Sequence, residues 1–157
     1  MDTAEAILAY GYDLGGDQRG WKVGETDDHG RPVIARHDID GEEDKFVEEA
    51  TGRLLAALAG FTETDQHAAG YHDRRKAARK SLGVHIVMHG DPSDTSYALA
   101  TSSIAVEEGD SMPLNPAELF DPADLEPWNR RLAAALAALG ITPRQDRPHW
   151  LVLAYRS

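Results

Sequence analysis

The chain has 157 residues, 41% hydrophobic and 27% charged, which is enough to bury one core without metal or disulfide support and too apolar for wholesale disorder. Its net charge of −11 disfavours a general binder of nucleic acid or of anionic membranes and leaves basic partners open. The absence of cysteine excludes disulfides, thiolate metal sites and cysteine nucleophiles and suits a reducing compartment, so a cytoplasmic protein with no membrane segment or signal sequence is expected.

Leu8, Tyr10, Tyr12 and Leu14 alternate with Ile7, Ala9, Gly11 and Asp13. This period of two predicts a first strand, ended by Gly15 and Gly16. Residues 15–41 read as an inserted hairpin, with WKVGET set against RPVIARH around Asp27-Asp28-His29-Gly30. Trp21 lies in that insertion, where exposure is easiest, and is the tryptophan expected at an interface. Asp40 and Glu43 have the spacing of a capping box, and Phe46, Val47, Ala50, Leu54 and Leu58 then recur at helical intervals up to Gly60.

Residues 66–81 predict a second, shorter helix carrying YHDRRKAARK. On a helical wheel Arg75, Lys76, Arg79 and Lys80 fall within an arc of about 140°. Leu82 to Val106 gives the clearest pattern, two strands joined by the turn Gly90 to Asp94. Residues 107–124 form a turn-rich linker. Asp124 is then expected to cap a last helix with Pro127 in its first turn and Leu125, Trp128, Leu132, Leu136 and Leu139 as its stripe. His149 to Tyr155 predicts the final strand.

Without the insertion and the basic helix the order is βαββαβ. The expectation is therefore one α+β domain over residues 1–157, a sandwich of ferredoxin-like order with both long helices on one sheet face. Such a scaffold carries many unrelated functions. The segment AILAYGYDLGG followed by GWKV resembles the opening of small uncharacterised proteins of high-GC actinobacteria and their phages. That resemblance implies an origin and no activity.

No phosphate loop, dinucleotide fingerprint, nucleophile elbow or zinc-protease helix is present. The acidic run 37–44 lacks the glycine spacing of a calcium loop, and helix capping accounts for Asp40 and Glu43. His85 and His89 share a strand face but lie roughly 13 Å apart, too far to chelate one ion. His89 with Asp91 could hold a metal if Asp94 or His149 supplied a third ligand. No cofactor is implied.

Charge is segregated: residues 1–70 carry −10, residues 71–80 carry +4 and residues 81–157 carry −5. The basic island, Arg74, Arg75, Lys76, Arg79 and Lys80, is either a solvated helix face balancing acids such as Glu63 or a site for phosphate or an acidic partner. The composition points first to a non-enzymatic interaction or regulatory module with a protein partner. Three alternatives stand beside it: an enzyme assembled from His85, His89, Asp91 and His149, an acidic mimic of nucleic acid built on residues 38–49, and a phosphate or RNA contact through the island.

Overall fold

The computed structural model describes residues 3–28, 30, 32 and 43–157, and the side chains of all of these except Glu43 and Asp44. It is an α+β structure in which one five-stranded sheet packs against helices. The strands are β1 (Ala4–Gly16), β2 (Gly20–Trp21), β3 (His85–Asp91), β4 (Asp94–Glu107) and β5 (His149–Arg156); the helices are α1 (Glu43–Ala59), α2 (Tyr71–Leu82) and α3 (Pro122–Leu139).

The long strand β1 is the centre of the sheet. It runs antiparallel to β4 over most of its length, to β5 from Ala4 to Gly11, and to β2 at Gly15 and Gly16. The central hairpin forms as the sequence predicts, with Asp91 opposite Asp94 and Asp91 accepting the N–H of Ser93 at 2.8 Å. β3 then meets β5 at a single parallel bridge, Gly90 with Tyr155. Pairing therefore runs from β1 through β4 and β3 to β5 and back to β1.

The two sheet faces bury different things. Tyr10, Tyr12 and Leu14 of β1 pack with Leu99 and Tyr97 of β4 against Phe46, Leu54 and Leu55 of α1 and Leu132 and Leu139 of α3. Each of those leucines is fully buried and contributes about 1.5–3 kcal/mol. The other face carries Ile7, Ala9, Ala98, Ala100 and Leu153, with Val87, Leu151 and Tyr155 beside them, and all of these come from strands. An open sandwich would leave that face to solvent; here small side chains let the sheet curl and cover itself. Gly11 marks the tightest point, since a Cβ there would lie 1.8 Å from the Leu99 carbonyl oxygen, beside a register shift between Tyr10 and Gly11.

Three expectations change. Trp21 is not at an interface: it is 7% exposed, stacked on Tyr97 at 5.7 Å and packed on Phe46, because β2 pairs with the end of β1 and turns the indole into the core. α3 begins earlier than expected. Asp121, not Asp124, is its cap and accepts the Ala123 N–H, Pro122 takes the first-turn position, and Pro127 lies inside the helix. α2 begins at Tyr71 rather than 66, after Gly70 in the left-handed conformation. The proposed partner arm RPVIARH and the Asp40 cap lie outside the described residues apart from Pro32, which bridges Thr26.

Candidate functional site

α2 carries the basic island along the border of two hollows. One, about 620 Å³, is lined by His72, Arg75, Lys76, Arg79, Lys80 and, from the sheet side, Gly83, Val84, His85 and Thr101. Among the described residues no carboxylate lines it. The other, about 1100 Å³, lies between α1 and α2 and includes Leu55, Phe61, Thr64, Gln66, Tyr71 and Met88. His72, Arg75 and Arg79 line both hollows and form the ridge between them.

The local sequence explains this placement. Tyr71 and Leu82 are the buried ends of α2, so they pin the helix and leave the cationic positions between them outward or half-buried. Gly83 closes the helix at φ 64° and turns the chain directly into β3, which brings His85 under the last turn. The Arg131 side chain of α3 lies over Gly83, its guanidinium about 3.0 Å from where a Cβ would stand. Arg131 thus adds a cation beside the cleft that sequence reading did not single out, because α3 is remote in sequence and only the fold brings it there.

The island divides in two. Arg74 is engaged: its guanidinium donates to both carboxylate oxygens of Glu63 and to the Ala69 carbonyl, and this pairing holds the Glu63 carboxyl below its usual range. Arg75, Lys76, Arg79 and Lys80 have no carboxylate partner among the described residues. Balancing by nearby acids therefore applies to Arg74 and not to the other four. Four cations on one helix face with no ion-pair partner among the described residues leave donors available to an anion, although Arg75 and Arg79 share the larger hollow with Glu48, Glu49 and Glu63.

His85 forms the inner wall. Its Nε2 lies 2.8 Å from the Ser103 hydroxyl, and burial followed by the charge of Arg79 pushes its pKa below the ordinary value. Burial and Arg79 thus favour the neutral ring more than in a free imidazole.

The other histidine and carboxylate candidates do not converge. His89 turns toward Asp13, with Nε2 3.8 Å from Oδ1 and no hydrogen-bond partner among the described residues. Asp91 is occupied by the Ser93 turn, which holds its carboxyl below the ordinary range. Asp94 pairs with Arg19, and His149 lies 4.0 Å from Asp146. No group of three or more histidine or acidic residues among the described residues is arranged to hold a metal ion, and neither Asp94 nor His149 joins His89 and Asp91 in one. Much of the acidic run considered as a nucleic-acid mimic lies outside the described residues.

Among the described residues no helix is long and apolar enough to cross a membrane. Comparison with family models, curated proteins and solved structures finds no match to the chain.

Proposed function

We propose that this protein is a small non-enzymatic binding module whose cleft between α2 and the β3–β4 hairpin takes a phosphate-bearing ligand. The carrying observation is the cationic lining: in a chain of net charge −11, one hollow gathers Arg75, Lys76, Arg79 and Lys80 with His72 and His85, and among the described residues no carboxylate lines it. Charge-assisted hydrogen bonds from such a set to phosphate oxygens are the strongest polar contacts the surface can offer. The element order left when β2 and α2 are set aside supports a ferredoxin-like reading of the scaffold, and the lack of cysteine supports a cytoplasmic setting.

Titration of the labelled protein with inorganic phosphate, followed by nuclear magnetic resonance, tests this reading. Shifts centred on residues 72–85 that disappear in Arg75→Glu with Arg79→Glu are expected. Their absence, or their persistence in that variant, refutes it.

A second reading, docking of an apolar protein segment, is supported by a different surface. Ile104, Leu8 and Val152 face one another across β4, β1 and β5, and Val152 is 82% exposed. Binding of an apolar peptide is expected to weaken in Val152→Ser; unchanged peptide binding in that variant removes this reading.

A further inference from the structure

Resting on the phosphate reading of the cleft, we infer that its ligand is a nucleoside monophosphate, with the phosphate among Arg75, Lys76, Arg79 and Lys80 and the base across the ridge in the hollow between α1 and α2.

Size gives the first argument. A phosphate group alone fills a small part of a hollow of about 620 Å³, which lies in the range of small-molecule sites, about 300–1,000 Å³. The second argument is continuity. His72, Arg75 and Arg79 line both hollows, so a ligand held by these side chains on one side has direct access to the other.

The lining of the second hollow selects the organic group. Leu55, Phe61 and Met88 supply apolar surface, Thr62, Thr64 and Gln66 supply neutral hydrogen-bonding groups, and Glu48, Glu49 and Glu63 supply acceptors that suit the amino or ring N–H edge of a base and not a phosphate. A flat heterocycle, apolar on its faces and polar at its edge, uses both. A sugar phosphate has no use for Phe61 and Met88, and an acyl chain leaves Thr64 and Gln66 unpaired when it displaces their water.

Charge distribution selects a single nucleotide over a nucleic-acid strand. The island of residues 71–80 carries +4, while the chain before it carries −10 and the chain after it −5. A mononucleotide keeps its phosphate within the island and places only its uncharged base in the adjoining hollow, whose wall includes Glu48, Glu49 and Glu63. A longer strand runs on past a Debye length, about 8 Å at physiological ionic strength, onto acidic surface.

Isothermal titration calorimetry of the full chain with AMP, GMP, CMP, UMP and inorganic phosphate, together with a short duplex, tests the inference. At least one nucleoside monophosphate is expected to bind ten or more times tighter than inorganic phosphate, with the duplex weaker than either. Thr64→Ala with Gln66→Ala, both exposed positions that folding tolerates, is expected to reduce nucleotide affinity at least threefold and leave phosphate affinity unchanged. Equal affinity for phosphate and all four nucleotides overturns the inference while the phosphate reading survives. Tighter binding of the duplex also overturns it. Failure of every phosphate-bearing probe to bind removes the inference and the phosphate reading together.

Discussion

Replacing Asp13 by asparagine is a direct test of how the sheet's polar junction supports the fold. The Asp13 side chain is 17% exposed. Burial acts to raise its pKa, but His89, which faces it at 3.8 Å without a hydrogen bond, the Lys22 ammonium and the Gly15 N–H together outweigh burial and hold it at about 2, against an ordinary 3.8. At about 1.4 kcal/mol per pH unit, that difference favours the folded state by roughly 2 kcal/mol when the group is ionised in both states. The sign follows from the depressed folded value: this stability is fully present above about pH 4 and is lost as pH falls toward 2. Asparagine keeps an oxygen acceptor for the Gly15 N–H and leaves the residue-13 N–H free to donate to Gln145 at 2.7 Å, so the substitution removes the charge together with the oxygen that accepts from the Lys22 ammonium. Urea denaturation of Asp13→Asn is expected to show a loss of roughly 2 kcal/mol near neutral pH and a flatter acid limb. An unchanged midpoint at neutral pH, or an acid limb identical to that of the parent, would refute the reasoning.

Other substitutions probe the rest of the architecture. Gly11→Ala places a methyl group 1.8 Å from a backbone oxygen of β4 and is expected to destabilise by about 3 kcal/mol or more, read by chemical denaturation; a loss below 1 kcal/mol would show that the strands can separate there freely. His85 faces Arg79 from α2 and Ser103 from β4, and its lowered pKa means that the unfolded chain takes up the proton more readily, so stability declines as pH falls below about 6.5. His85→Gln is expected to remove that slope in melts taken between about pH 8 and 5, and an unaltered slope would place the titration elsewhere. Val152→Glu, on an 82% exposed side chain, should change stability by less than about 0.5 kcal/mol in thermal melts; a larger loss would mean that the apolar row is covered.

Local periodicity made most elements legible. The central hairpin, β1, β5 and the stripes of α1 and α3 follow from spacing, because a residue's place on a strand or helix face is set by its nearest neighbours in sequence, except that in α1 Leu58 is exposed and Leu55, outside the expected stripe, is buried. Two element starts misled for the same kind of reason. Asp121 and Asp124 both precede an apolar run, and only the Pro122 position and the Ala123 hydrogen bond distinguish the cap. Gly70 lies within the stretch first read as helix, and its left-handed conformation is what delays α2 to Tyr71.

The sequence by itself determined the segregation of charge, the cationic arc of α2 and the two helical stripes, since each is a property of residues within a few turns of one another. Only the tertiary structure decided that Arg74 is satisfied by Glu63 while Arg75, Lys76, Arg79 and Lys80 have no carboxylate partner among the described residues, and that His85 and Arg131 stand beside them. It also decided that Trp21 is core and that the second sheet face closes on itself through Ala9, Ala98 and Ala100. These outcomes depend on which distant segments meet, and that is set by packing the whole chain at once: pairing of β1 with β2, β4 and β5 fixes the partners of every side chain they carry, and no local window contains that information.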